Sequence, residues 1–516
     1  MFLFFSFRIF ASCGEDTLSR HKKEILFFCS ALDFSYLCMT NSNSILTMNI
    51  LHYLKKTFLV VLLLGVITPI SAQRQFELPN SPDGKSKIYV YLPNAITATG
   101  KAVVCCPGGG YQGLSMQNEG TNWVPFFMDR GIAFIILKYR MPAGDPQIPL
   151  VDALQAIKTV RDSAKVWNIN PHDVGIMGFS AGGHLASMAA THTTFDARPD
   201  FQILFYPVIT MVGQTNQMSR DNLLGDKKDD EQVRKTYSSE LQVQKHITPP
   251  AIIFACNNDE PVPPATNAAA YYSALRRNHV DATLYIFPGG YHGFGFRNTF
   301  PYHHEMKNLL DLWLKGIQPP KADAIRVACI GNSITAGSGL DLSNIHGYPA
   351  LLQGLLGKDY MVKNFGVSGR TMLNKGDHPY MKEFAWEDCK HFQPQIAIIK
   401  LGTNDSKTYN WTHKKDFEKD MQQMINELKA LDSKPEIYLA YPIRVFQNSW
   451  TISEEVVSKE IIPIINKVAK KNHLKVIDLH SALDNSDQVL KDGVHPNKDG
   501  AKLMAETVYK EIVGNL

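Results

Sequence analysis

Residues 174–184 read Val-Gly-Ile-Met-Gly-Phe-Ser-Ala-Gly-Gly-His. An apolar run suited to a buried strand passes through Gly178-x-Ser180-x-Gly182 straight into helix-like residues 185–191. So abrupt a strand-to-helix turn needs glycines, because bulkier side chains two residues either side of the serine would clash. It also pushes the serine Oγ into the open. The helix N-terminus then supplies backbone N–H groups where an oxyanion would form. Such a junction belongs to an α/β fold. Apolar runs at 87–92, 102–106, 133–137, 174–177, 201–205, 251–255 and 282–287 alternate with helical patterns, which predicts a mostly parallel sheet covered on both faces.

Three further blocks accompany the elbow. Cys106-Pro-Gly-Gly-Gly-Tyr111 ends a predicted strand, and its glycines let backbone N–H groups approach a substrate carbonyl. The oxyanion donors are expected at Gly109 or Gly110 and at Ala181. Downstream, the run from Ile252 ends in Asn257-Asn-Asp259-Glu260-Pro-Val262-Pro263, and Pro288-Gly-Gly-Tyr291-His292-Gly is a glycine-rich loop after another strand. In the order Ser180, Asp259, His292, the histidine would take the serine proton and the acid would orient its ring. Glu260 is the second carboxylate candidate; the spacing to Val262-Pro263 favours Asp259.

Leu137-Lys-Tyr139-Arg-Met-Pro142, Pro149-Leu-Val-Asp152-Ala, Ala164-x-x-Trp167-Asn-Ile-Asn-Pro171 and the elbow resemble bacterial acetylxylan-esterase-like α/β-hydrolases across most of residues 85–315. The resemblance implies an α/β-hydrolase fold and removal of acyl groups from plant polysaccharides. Cys106-Pro107 stands where many relatives carry His-Gly.

A linker, residues 318–323, precedes a second series of β-like runs at 325–330, 361–365, 396–401, 436–440 and 474–478, closed by a helix-like segment at 498–513. Its motifs differ from the first unit's: Ile330-Gly-Asn332-Ser333-Ile-Thr-Ala-Gly337, Asn364-Phe-Gly-Val-Ser-Gly369-Arg, Leu401-Gly-Thr-Asn404-Asp405 and Asp492-Gly-Val-His495-Pro-Asn. Four ordered blocks of this kind resemble the SGNH (GDSL-type) hydrolases over residues 325–516. The resemblance implies a flavodoxin-like three-layer α/β/α sandwich. In it Ser333 is the nucleophile, Gly369 N–H and the Asn404 amide are oxyanion donors, and Asp492 and His495 complete the site. Asn332 stands where many relatives carry Asp, which favours a sugar ester over a lipid.

Residues 48–73 have the layout of a secretory signal peptide: basic Lys55-Lys56, an apolar run at 57–70, and Ile70-Ser71-Ala72 before Gln73. Residues 1–47 then read as an upstream extension of the true start at Met48; an N-terminal anchor is the alternative, because Met1-Phe-Leu-Phe-Phe is also apolar. The expected division is 1–47 extension, 48–72 signal peptide, 73–317 first esterase domain, 318–323 linker and 324–516 second. No Cys follows the small residues, so no lipid anchor is expected, nor a stable membrane anchor in the mature form. Cys105, Cys106, Cys256 and Cys329 lie in apolar runs and read as buried small hydrophobes; with Cys389 they form no disulfide framework.

Lys+Arg 53 against Asp+Glu 49 leaves no electrostatic footprint for nucleic acid. His303-His304-Glu305 lacks metal-ligand spacing and reads as a loop or helix start. His184 is expected to pack under the elbow helix rather than react. Trp123, Tyr139, Tyr291, Trp386 and Trp411 could line sugar clefts, with core packing the default. The expectation is an exported carbohydrate esterase with two serine centres working through acyl-enzymes, without cofactor or metal. Its partner is an acylated polysaccharide or oligosaccharide. A prolyl-oligopeptidase-like peptidase, one domain acting as a glycan-binding module, and a sialate O-acetylesterase are the alternatives.

Overall fold

The computed structural model of the protein describes residues 73–514. The segment read as a signal peptide and the 47 residues before it lie outside the described residues. Among the described residues thirteen strands form two sheets. The first holds β1 (Arg74–Pro79), β2 (Lys87–Leu92), β3 (Ala102–Cys106), β4 (Ala133–Lys138), β5 (Val174–Phe179), β6 (Gln202–Phe205), β7 (Ala251–Cys256) and β8 (Ala282–Phe287), in the order β1-β2-β4-β3-β5-β6-β7-β8. It is parallel from β4 to β8 and antiparallel where β2 meets β1 and β4. β1 was not anticipated from the sequence. It is a half-exposed edge strand, and its composition carries little apolar signal.

The central strands β3, β5, β6 and β7 are buried at every position, as a parallel sheet covered by helices requires. Their side chains feed two apolar layers, one containing helices Gln147–Asp162 and Ala181–Thr191, the other helix His303–Gly316. In the second layer Phe179, Phe205 and Phe254 stack across paired positions of β5, β6 and β7, with ring centroids 4.8 and 5.0 Å apart. This ladder stiffens the sheet beneath the residue that follows Phe179, which is Ser180.

After residues 318–323, which adopt no regular structure, the chain enters a five-stranded parallel sheet. It holds β9 (Ile325–Gly331), β10 (Tyr360–Gly366), β11 (Ile396–Lys400), β12 (Glu436–Ala440) and β13 (Lys475–Ile477), in the order β10-β9-β11-β12-β13. That is the flavodoxin-like order, with the switch point between β9 and β11. Helices Phe417–Lys429 and Ile462–Asn472 cover one face; Tyr348–Leu356 and Lys498–Val513 cover the other.

The two sheet lobes share a polar seam. Asp388 receives both terminal guanidinium nitrogens of Arg198 and the N–H of Phe195, and the Phe195 ring meets Phe392 edge-on. The five described cysteines are free and buried. No helix among the described residues is long and apolar enough to cross a membrane.

Candidate active site

Every residue singled out for chemistry lies beyond the carboxyl end of a parallel strand, where open α/β sheets leave their crevices. Ser180 follows β5 with φ +52° and ψ −119°, a strained conformation for a non-glycine residue. Two flanking bonds hold it there: its N–H donates to Phe205 O, and its carbonyl accepts from Val208 N–H. A side chain at Gly182 would come within 2.1 Å of the Cys106 carbonyl, so the elbow helix packs against β3 only because that position is glycine.

Ser180 Oγ is 2.8 Å from His292 Nε2, and His292 Nδ1 is 2.8 Å from Asp259 Oδ2. The other Asp259 oxygen accepts the Val262 N–H. Asp259 therefore faces the histidine, whereas Glu260 is exposed. Gly109 has φ +142°, and a Cβ there would lie 2.2 Å from Gly113 O, so glycine is required. Among the described residues no protein acceptor takes the N–H groups of Gly109 or Gly110. Ala181 is the first residue of its helix, whose N–H has no acceptor within the helix.

A buried carboxylate that the sequence reading passed over ties this centre together. Glu119 Oε2 accepts the Gly108 N–H at 2.7 Å, and Oε1 accepts the Tyr206 hydroxyl at 2.7 Å. That same hydroxyl oxygen accepts the Gly295 N–H, and the Tyr206 ring meets the His292 ring edge-on at 4.9 Å. Glu119 thus links the glycine loop to the histidine loop. Burial raises its pKa against the opposing hydrogen bonds from Tyr206 and Gly108. Tyr139 donates to Pro107 O from below the same loop. His184 is fully buried, donating through Nε2 to Tyr237 O and accepting through Nδ1 from Tyr111; burial lowers its pKa to about 4.

The second centre repeats the arrangement with different parts. Ser333 opens the short helix Ser333–Ala336 after β9. Its Oγ is 2.8 Å from His495 Nε2, and His495 Nδ1 is 2.9 Å from Asp492 Oδ2. Burial works to raise the Asp492 pKa, but the N–H groups of His495 and Val494 and the His495 ring outweigh it, and the pKa is lowered. Ser333, Gly369, Asn404 and His495 line one cavity of about 290 Å³. Gly369 has φ +81°, and the Asn404 amide spends one N–H on Arg370 O.

Here too, buried polar groups make contacts that the sequence did not reveal. Asp405 accepts the N–H groups of Met372 and Leu373, fastening the segment after Gly369 to the turn that carries Asn404; burial raises its pKa to about 7. Asn332 accepts from Ile334 N–H and from Nζ of Lys400, a fully buried lysine whose pKa burial drives well below its usual value.

Of the aromatics considered for sugar contact, Trp123, Tyr139, Trp386 and Trp411 are buried, and Tyr291 is 71% exposed. His303 begins a helix, as one of the two readings of that segment expected.

The GDSL-like Lipase/Acylhydrolase family matches residues 329–503, and the family described as BD-FAE matches residues 88–274. An acetylxylan esterase of Xylanibacter ruminicola is 47% identical over 480 residues, 89% of this chain and 99% of that protein. An endo-1,4-beta-xylanase B of Butyrivibrio fibrisolvens is 32% identical over 226 residues, 41% of this chain and 35% of that protein. Among solved structures, an acetyl ester-xyloside bifunctional hydrolase from Caldicellulosiruptor lactoaceticus is 29% identical with a TM-score of 0.44, covering 48% of this chain and 98% of that one.

Proposed function

The chain belongs to the acetylxylan esterase family, and from that premise we propose that it removes O-acetyl groups from plant cell-wall polysaccharide or its oligosaccharides at two serine centres. The observation that carries this is the pair of complete Ser–His–Asp chains, Ser180–His292–Asp259 and Ser333–His495–Asp492, each joined by contacts of 2.8–2.9 Å. Completeness of both chains supports two working centres over one centre and one binding module.

Each centre would run acyl transfer in two halves. His292 takes the Ser180 proton as Oγ attacks the ester carbonyl carbon. The tetrahedral oxyanion is met by N–H groups at Gly109 or Gly110 and at Ala181. Collapse expels the sugar alkoxide, which leaves with the proton from His292, and an acetyl-enzyme remains. Water, deprotonated by the same histidine, then releases acetate and restores the serine. In the other lobe Ser333, His495 and Asp492 take these roles, with Gly369 N–H and the Asn404 amide facing the oxyanion.

The signal-like layout of residues 48–72 supports export, with the mature chain starting near Gln73. A polymer too large to enter the cell needs an enzyme outside it.

The test is acetate release from acetylated xylan by the Ser180→Ala, Ser333→Ala and doubly substituted chains. Each single variant is expected to keep part of the activity and the double to lose it. Full activity in the double variant contradicts the proposal.

A further inference from the structure

Of the six tryptophans in the chain, Trp450 alone is exposed, at 58%. It was not among the aromatics that the sequence singled out. Its ring lines the cavity shared by Ser333, Asn404 and His495, and meets the His495 ring edge-on at a centroid distance of 5.7 Å. Both Trp450 and Thr451 have left-handed backbone, with φ of +54° and +61°. For non-glycine residues each such conformation costs on the order of 1–2 kcal/mol and persists only where surrounding bonds enforce it.

Those bonds are present on both sides of the ring. Ser449 Oγ donates to Asp492 O, and Phe446 N–H donates to Gly493 O, so the loop is clipped to the turn that carries the acid and the histidine. On the other side Ser453 N–H donates to Ser406 Oγ, two residues from Asn404. The fold therefore holds a large apolar ring in water, on strained backbone, against the catalytic histidine. Packing gives no reason for this, because an indole gains more by burial.

We infer that Trp450 is a stacking platform for the pyranose ring of the acylated sugar at the Ser333 centre. This rests on the reading of that centre as a carbohydrate esterase. A pyranose presents a face of C–H bonds, apolar and slightly positive, which suits the negative face of an aromatic ring. Contact with His495 places the platform on the side where the departing alcohol collects its proton, so the platform holds the sugar and not the acyl group. The charge on Lys407, on the same cavity lining, is matched by Asp377 at 3.4 Å, which leaves the ring as the main feature for a neutral sugar to recognise.

The test uses the full chain with Ser180→Ala, so that only the Ser333 centre turns over. kcat/KM is measured for acetylated xylo-oligosaccharides and for ethyl acetate, whose alcohol has no ring to stack. Trp450→Ala is expected to lower the ratio of oligosaccharide to ethyl acetate about tenfold, mainly through KM, and Trp450→Phe to restore most of it. An equal fall on both esters would make Trp450 a brace for His495 and overturn the platform, as would an unmoved ratio. A second readout needs no turnover. In the Ser180→Ala, Ser333→Ala chain, adding the oligosaccharide should shift tryptophan emission, and Trp450→Phe should abolish the shift; a shift that survives the substitution overturns the platform. A Ser180→Ala parent that releases no acetate from any oligosaccharide overturns the reading of the centre itself and the platform with it.

Discussion

Arg198 and Asp388 form a buried, two-point ion pair between the sheet lobes, with Nη2 to Oδ1 at 2.6 Å and Nη1 to Oδ2 at 3.1 Å. Both side chains are almost completely out of water. Asp388 also accepts the Phe195 N–H, so removing it strands a buried cation and an N–H together.

Asp388→Ala is therefore expected to destabilise the chain by about 3–5 kcal/mol, the usual result of breaking a buried pair from one side. Urea unfolding followed by tryptophan fluorescence measures this. A loss below about 1 kcal/mol would mean that the seam contributes little.

Glu119 should matter to rate although it stands outside the Ser180–His292–Asp259 relay. Without it the Gly108 N–H and the Tyr206 hydroxyl lose their shared acceptor. In a Ser333→Ala chain, Glu119→Ala is expected to lower kcat by roughly ten- to a hundredfold, the kinetic equivalent of losing a hydrogen bond to a charged group. Glu119→Gln should recover part of it. Equal kcat in wild type and Glu119→Ala would show that the two loops hold position unaided.

His246 belongs to the eight-stranded lobe, yet its Nε2 donates at 2.9 Å to Ala336 O, at the end of the helix that Ser333 begins. A net hydrogen bond contributes about 1 kcal/mol, or roughly fivefold in rate if spent on positioning. His246→Ala in a Ser180→Ala chain should slow the Ser333 centre several-fold. An unchanged rate there would show that the seam does not reach the second centre.

His184 makes a pH prediction. Its ordinary pKa of 6.5 falls to about 4 on burial. Below pH 6.5 the unfolded chain takes up a proton that the folded chain refuses. The contribution is whole above pH 6.5 and is lost as pH falls through about 4, up to on the order of 3 kcal/mol. Between pH 7.5 and 4.5 the wild type should lose more unfolding free energy than His184→Gln. Parallel losses in the two proteins would contradict this.

Much of the fold and both Ser–His–Asp arrangements were legible in the sequence, the first from local motifs and the second from the resemblance that its four blocks carry. A strand end and a glycine turn write Ser180 into a few consecutive residues, and the resemblance to the SGNH hydrolases marks Ser333. Asp492 and His495 share one loop, and Asp259 and His292 each sit in a short motif after an apolar run. The supporting groups were not legible, because their partners are remote. Glu119 reads as one acid among forty-nine until Tyr206, eighty-seven residues on, folds back to it. Asp405 stood inside a recognised block, but nothing in the block tells that it accepts from Met372 and Leu373. Trp450 lies in a loop without periodicity, and only the clip to Asp492 brings it to the histidine. The edge strand β1 was missed because one-sided pairing demands little apolar sequence.

Two working serines in one chain are tested most directly by counting them. The chain is treated with an excess of an active-site-directed phosphonate, and its mass is measured before and after, followed by peptide mapping. Two adducts per chain are expected, one on the peptide with Ser180 and one on the peptide with Ser333, with one adduct in either single Ser→Ala variant. A single adduct at saturation in the wild type, or an adduct count that does not change in a variant, would contradict it.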